Sequence, residues 1–125
     1  MLTIRAAQFA AFRAVADDEL VERLRVYLPT IYPRHCAALG EEGTRERIRT
    51  GLALADAHGI ERGRAVVVLV ELLVEFGARL ERSPDRAWAE RMLARRDVPG
   101  AVRVAAVRDH LAKSTGGRLL VVQEL

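Results

Sequence analysis

Two glutamates four residues apart have the spacing most compatible with a metal site. Glu71 and Glu75 lie in an apolar segment, and on a helix this spacing puts both carboxylates on one face. Helical bundles that bind metal through such carboxylates also use a Glu-x-x-His pattern on neighbouring helices. No glutamate of this chain has a histidine three residues later. We therefore expect both carboxylates to meet arginines or solvent, and we expect no metal and no cofactor.

The other candidates for catalysis are isolated polar side chains. His35 and Cys36 are adjacent, so on a helix they diverge and do not form a nucleophile–base pair. No zinc-type spacing surrounds them, and the sequence predicts a buried, inert Cys36. Asp109-His110 sets an acid beside a base, but the chain lacks a G-x-S-x-G motif and offers few hydroxyl nucleophiles. The sequence therefore predicts a protein that is not an enzyme.

Arginine is abundant but does not form the pattern of a nucleic-acid surface. Twenty basic and 17 acidic side chains leave a net charge of +3. Arg45, Arg47 and Arg49 lie among glutamates, as does the pair Arg95-Arg96, and no aromatic residues alternate with them. Nucleic-acid-binding proteins combine a one-sided basic patch with stacking aromatic side chains. A nucleic-acid partner is therefore not expected.

Helical periodicity organises the first part of the chain. From Arg5 to Leu28 apolar residues recur at steps of three and four, which predicts an amphipathic helix with Thr3 as N-cap and Pro29 as its stop. An acidic run at 17–19 leaves a break into two helices open. The predicted inward stripe is Phe9, Phe12, Ala16, Leu20, Leu24, Tyr27 and Ile31.

Glycines mark the boundaries of the next helices. A short helical turn ends at Gly40, and Thr44 is placed to cap a helix that runs to His58. Gly59 stands where helices commonly end in a left-handed conformation, with Ile60 placed to pack back on the last turn.

The segment from Ala65 to Phe76 is apolar on almost every face, as in a helix surrounded by other helices. Its valine run also suits a buried strand, but no comparable partner strand exists nearby. At 12 residues the segment is too short to span a bilayer. We expect the core to centre on this helix, with buried side chains at Leu69, Leu72, Leu73 and Phe76 and with Trp88 nearby.

The last third contains a helix start, a final helix and a tail. Ser83-Pro84-Asp85 combines a capping serine, proline at the first helical position and an acid at the positive helix end. A final helix begins near Asp97, and Ser114-Thr-Gly-Gly is expected to break it. The sequence predicts an all-α fold: a single compact bundle of five to six short helices around one apolar central helix (residues 1–113), plus an extended C-terminal tail (114–125).

The tail has the chemistry of a docking strand. Its apolar run, Leu119, Leu120, Val121 and Val122, is β-prone, and an extended segment can add to the sheet edge of a partner. Folding back over the bundle and a disordered end remain the alternatives. These four residues are the predicted partner-binding site.

The chain also carries signals that bear on its compartment. A single cysteine cannot form an internal disulfide, and the first residues lack the pattern of a secretory signal. We expect a cytoplasmic protein that does not insert into a membrane.

An ordered series of short motifs resembles one group of small helical bacterial proteins. These proteins tend to be encoded beside type VI secretion spike, PAAR spike-tip and effector genes. The match covers roughly residues 2 to 112. The Asp usual after the Phe-Gly of the group is replaced here by Ala78-Arg79-Leu80-Glu81, and the tail from Arg118 is extra. The matching motifs are Thr3-Ile4, Tyr32-Pro33, Leu39-Gly40, Ile48 with Gly51, His58-Gly59-Ile60-Glu61, Phe76-Gly77, and Ser83-Pro84-Asp85 with Trp88-Ala89.

This resemblance implies a non-enzymatic accessory factor, adaptor or chaperone-like, that binds another protein: a secretion effector, a spike protein or a toxin. An immunity protein that neutralises a co-encoded toxin is the closest alternative. A small metal-dependent hydrolase is a distant one, which depends on Glu71, Glu75, His35 and His110.

Overall fold

Helices make up nearly all of the described chain. The computed structural model describes residues 6–124, with side chains for residues 15–77 and 79–113. Within residues 6–124 there is no strand, which confirms the all-α prediction. Three of the helices are longer than the short ones expected. The five helices are α1 (Ala6–Ile31), α2 (Pro33–Ala57), α3 (Arg64–Leu80), α4 (Asp85–Leu93) and α5 (Gly100–Glu124).

Contacts between the helices give an up-and-down arrangement. α2 packs between α1 and α3, and α5 packs on both α3 and α4. Gly51 of α2 faces Val70 of α3, while Arg47 faces Gly77, so α2 and α3 are antiparallel. Asp85 at the start of α4 meets His110 far along α5, so these helices are antiparallel too. The N-terminal ends of α3 and α5 lie together, since Gly100 lies against Ile60 and Arg64 lines one pocket with Ala101. These two helices are therefore parallel, and α2 and α4 share the opposite direction.

The centre of the core is α3, as predicted. Leu69, Leu72, Leu73 and Phe76 are all buried, and Leu69 is only 1% exposed. Trp88 packs against the same cluster while remaining partly exposed. The valine run at its start is helical, because its β-branched side chains fill space between neighbouring helices.

A glycine lets α2 approach α3 closely. Gly51 is buried, and a β-carbon at this position would lie only 2.6 Å from Cγ2 of Val70. Glycine therefore brings the two backbones together at the middle of the core. This contact fixes the relative position of the two helices.

Helix α1 differs from its predicted stripe and boundary. Val21, Leu24 and Leu28 are buried, whereas Tyr27 and Ile31 are exposed. The buried seam is narrower than predicted because α1 packs chiefly on one neighbour, α2. The predicted stop at Pro29 is wrong, since the helix continues to Ile31. A proline in the last turn removes one hydrogen bond without ending the helix.

The acidic run in α1 does not break the helix. Arg62 binds Asp17 through two hydrogen bonds, from Nε at 2.9 Å and from Nη2 at 3.0 Å. The same guanidinium contacts Asp56 at 3.0 Å. This charge cluster ties α1 to the turn between α2 and α3.

Helix α2 contains the predicted glycine break, but Thr44 does not cap it. Gly40 has φ 75° and ψ 174°, so α2 kinks there. Thr44 lies buried within the helix and donates its hydroxyl hydrogen to the Gly40 carbonyl at 2.7 Å. The predicted helix start at Thr44 is therefore wrong, because the kink itself separates the two parts of α2.

The C-terminus of α2 has the predicted glycine-dependent end. Gly59 has φ 66°, in the left-handed region. The Gly59 N–H donates to the Asp56 carbonyl at 3.3 Å, and the Ile60 N–H donates to the Ala55 carbonyl at 2.8 Å. Together these bonds form a Schellman motif. Ile60 is buried, which confirms that it packs back on the helix.

Two arginines satisfy the remaining carbonyls at this end of α2. Arg96 donates from Nη2 to the Ala57 carbonyl at 2.9 Å. Arg103 is 4% exposed, and its Nη1 donates to the His58 carbonyl at 2.9 Å and to the Leu93 carbonyl at 2.5 Å. Its Nε finds no acceptor among the described residues. Since Leu93 ends α4, one guanidinium lies between the C-termini of two helices, where positive charge is favoured.

α4 begins at Asp85, one residue after the predicted first helical position, and α5 begins at Gly100, three residues after Asp97. The end of α5 also differs from the prediction. Ser83 accepts a hydrogen bond from the Asp85 N–H at 3.1 Å and so caps α4. The backbone of α5 continues through Gly116-Gly117 to Glu124, in place of the extended tail predicted from residue 114. Each added residue of a formed helix gains a hydrogen bond, and this gain offsets a glycine cost of about 1 kcal/mol.

Replacing Leu69 by Ala tests the central position of α3. We expect the free energy of unfolding to fall by about 2–5 kcal/mol, because the cavity would lie among fully packed helices. Urea denaturation measures this change. Val26→Ala, on the exposed face of α1 (62% exposed), is the control and should change stability by no more than about 0.5 kcal/mol. Equal effects of the two substitutions would contradict the assignment.

Replacing Arg103 by Met tests the shared capping of α2 and α4. The substitution keeps much of the side-chain volume but leaves two carbonyls without their donor, so we expect a loss of about 2–3 kcal/mol. Arg79→Met, at an exposed position of α3, serves as the control. Indistinguishable unfolding midpoints for the two variants would show that the hydrogen bonds of Arg103 do not stabilise the fold.

Candidate functional site

An apolar cleft lies between α2 and α4, and we call it the α2–α4 cleft. Its volume is about 200 Å³. It forms because α4 packs on α5 while α2 packs on α1 and α3, so that the two parallel helices flank a strip of α3. Six leucines contribute most of its apolar lining: Leu54 from α2, Leu69, Leu72, Leu73 and Leu80 from α3, and Leu93 from α4.

Arg103 determines the geometry at one end of the cleft. His58 and Leu93 both line this end, and Arg103 binds the carbonyls of both. The hydrogen bonds of this buried side chain therefore help to fix the distance between the two walls. A cleft whose walls are held in this way is formed before any ligand arrives.

The opposite end carries charged side chains. Arg47 lies against Gly77, and its Nη1 is 3.6 Å from Oε1 of Glu81. Arg86 on the α4 wall pairs with Glu90, with 3.0 Å between Nε and Oε1. The apolar floor thus has a polar, charged rim.

Ser83, Asp85 and His110 come together beside α4, although His110 is adjacent in sequence to a different acid, Asp109. Nε2 of His110 lies 3.1 Å from Oδ1 of Asp85, and the imidazole stacks on Trp88 with ring centroids 4.1 Å apart. The Ser83 hydroxyl donates to Oδ2 of the same aspartate at 3.2 Å. In a hydrolytic triad the histidine must contact the hydroxyl. Here the aspartate lies between them, so the group orients the helix start and does not activate the serine.

The two glutamates of α3 meet tyrosines rather than arginines. The Tyr27 hydroxyl donates to Oε2 of Glu71 at 3.4 Å. Burial raises the pKa of Tyr32, and the negative charges of Glu75 and Glu71 raise it further, against the opposing charge of Arg108. The described residues contain no group of three or more His, Cys, Asp or Glu side chains that could hold a metal ion.

Cys36 is buried, as predicted. Burial raises the pKa of its thiol, against a smaller opposing effect of the Thr44 hydroxyl. His35 contacts Tyr32 edge to face, with ring centroids 6.0 Å apart, and is exposed. The adjacent pair therefore diverges, as the helical spacing requires.

The predicted partner-binding residues lie in the last part of α5. The backbone of Leu119, Leu120, Val121 and Val122 is helical. Their side chains lie outside the described ones, so their role in binding stays a prediction.

Neither the cleft nor the role of Arg103 is predicted by the sequence patterns. Arg103 lies four residues before Val107 and eight before Leu111, on the apolar face of α5. An arginine at such a position signals a buried charge with specific partners. The cleft itself depends on where α4 lies relative to α2, and no local pattern encodes this distance.

No protein-family model, curated protein or solved structure matches the chain. In the described part of the chain, no helix combines the length and the apolar character needed to cross a membrane.

Chemical reactivity tests the burial of Cys36. Since a raised pKa lowers the thiolate fraction, and burial restricts access, we expect iodoacetamide at pH 8 to modify the native protein at least about tenfold more slowly than the denatured protein. Mass spectrometry over time gives both rates. Equal rates in the two states would contradict the buried, inert thiol.

Proposed function

We propose that the protein is a non-enzymatic accessory factor, adaptor or chaperone-like, which binds an effector, spike protein or toxin of a bacterial type VI secretion module in the cytoplasm. The observation that carries the binding role is the α2–α4 cleft. Protein interfaces concentrate their energy where an apolar anchor enters a preformed pocket, and a polar rim surrounds that anchor.

The size of the cleft supports an anchor from a partner protein. A cavity of roughly 150 Å³ holds a benzene-sized group. The α2–α4 cleft, at about 200 Å³, therefore fits one aromatic or branched aliphatic side chain. The pairs Arg47–Glu81 and Arg86–Glu90 supply the polar rim.

The arrangement of Ser83, Asp85 and His110 beside α4 supports a role without catalysis, since His110 contacts Asp85 and not the Ser83 hydroxyl. The secretion setting rests on the ordered motifs that resemble the type VI-associated group, from Thr3-Ile4 to Trp88-Ala89. An immunity role would use the same binding chemistry with a toxin as the partner.

Co-expression with the products of neighbouring genes, followed by affinity purification, tests the proposal. Leu54→Glu puts a charge on the half-buried wall of the cleft, and we expect at least about a tenfold loss of affinity for the captured neighbour. Ala53→Glu is the matched control, because Ala53 is exposed on the same helix and does not line the cleft. Thermal unfolding of both variants checks that they fold.

The outcomes separate the possible partners and surfaces. Capture of an effector or spike protein, lost in Leu54→Glu alone, supports the adaptor role, whereas capture of a toxin with loss of its toxicity supports immunity. Deletion of residues 116–125 tests the predicted tail site: loss of binding by a folded truncated protein supports docking through the tail. Equal binding by both glutamate variants would overturn the cleft as the binding site.

A further inference from the structure

Arg47 occupies a constrained position at the rim of the α2–α4 cleft. Its side chain is 22% exposed and lies across the face of α3 where Gly77 leaves room. A β-carbon at position 77 would lie 2.5 Å from Nη1 and 3.0 Å from Cζ of Arg47. The glycine therefore allows the guanidinium to sit beside the apolar floor.

The hydrogen-bonding capacity of Arg47 is unused within the described part of the chain. Its contact with Glu81 spans 3.6 Å, beyond hydrogen-bond distance, and the Glu81 side chain is 66% exposed. Arg45, two residues earlier, shows the contrast. It donates to Glu22 and Glu41 at 3.0 Å each. Arg47 thus keeps its five N–H donors for an acceptor that enters from outside.

We propose that the partner segment that fills the α2–α4 cleft carries a carboxylate side chain, from Asp or Glu, next to its apolar anchor, and that Arg47 binds this carboxylate. The inference rests on the proposed function and specifies the chemistry of the partner. The planar guanidinium matches a carboxylate through two parallel hydrogen bonds. The exposed Glu81 turns to solvent as the new carboxylate replaces it.

Short blocked peptides test this chemistry directly. The probe is acetyl-Glu-Phe-Glu-amide, which offers a carboxylate on either side of an aromatic anchor. Acetyl-Gln-Phe-Gln-amide has the same shape without charge, and acetyl-Glu-Ala-Glu-amide has the charge without the anchor. Binding is followed by amide chemical shifts of the full-length protein, with Leu54 and Leu80 as reporters of the cleft.

We expect the Glu-Phe-Glu peptide to bind about fivefold more tightly than the Gln-Phe-Gln peptide, as a partly exposed charge pair allows. The Glu-Ala-Glu peptide should not shift the cleft reporters. In Arg47→Gln the Glu-Phe-Glu and Gln-Phe-Gln peptides should bind with about equal affinity. Both should still bind, at the weaker affinity that the Gln-Phe-Gln peptide has for the unchanged protein.

Gly77→Ala separates the position of the guanidinium from its charge. The added methyl group displaces the guanidinium, so we expect the preference for the carboxylate peptide to fall although Arg47 is present. Alanine has a higher helix propensity than glycine, so this variant should stay folded. Gly43→Ala is the matched control, because Gly43 also lies inside a helix, α2, but faces Leu39 rather than the cleft.

The alternative outcomes are distinct. Equal binding of the charged and uncharged phenylalanine peptides would overturn the inference and leave the apolar cleft as a docking site. A preference that persists in Arg47→Gln, or binding of the Glu-Ala-Glu peptide as tight as that of the probe, would also overturn it. No shift of the cleft reporters by any peptide would reject this partner chemistry, while the purification experiment tests the proposed function independently.

Discussion

One buried guanidinium determines how the second half of the molecule is arranged. α2 and α4 run in the same direction and end close together, so two regions of partial negative charge face one another. Each C-terminus carries roughly half a unit charge, and the single positive charge of Arg103 offsets both. The hydrogen bonds of Arg103 to the His58 and Leu93 carbonyls then convert an unfavourable approach into a bridge. Arg96 adds a second link between the same segments, since its Nη2 donates to the Ala57 carbonyl at 2.9 Å.

The cleft follows from that bridge, and its two ends use arginine differently. At the closed end Arg103 is buried, and its contacts lie within the fold. At the open end Arg47 lies on Gly77 with a single long contact to Glu81. Good acceptors offset the desolvation cost of a buried charge, whereas partial exposure without them leaves the charge available to a ligand. The same residue type therefore stabilises the fold at one end and, as we propose, would bind a partner at the other.

Sequence patterns predicted the elements whose causes are local. The buried α3, the Schellman end at Gly59 with Ile60 and the cap at Ser83 all follow from short-range spacing, and the structure has them. The buried face of α1 was predicted wrongly. Whether Leu28 or Tyr27 is buried depends on which helix packs against α1, and the local sequence does not encode this. The α5 backbone beyond Gly116-Gly117 was misjudged because helix propagation outweighed two glycines. The cleft was missed because it depends on the distance between α2 and α4, which no local spacing encodes.

The cleft and the core share residues, which limits how binding and stability can vary separately. Leu69, Leu72 and Leu73 form the floor of the cleft and also hold α3 within the bundle. Substitutions there remove buried contacts first, so a loss of binding would follow from unfolding alone. The half-buried residues of the walls and rim, Leu54, Leu80 and Arg47, contribute less to the stability of the core. Changes in partner specificity at low structural cost should therefore concentrate on α2 and on the end of α3, where side-chain chemistry can change while the packing beneath it stays intact.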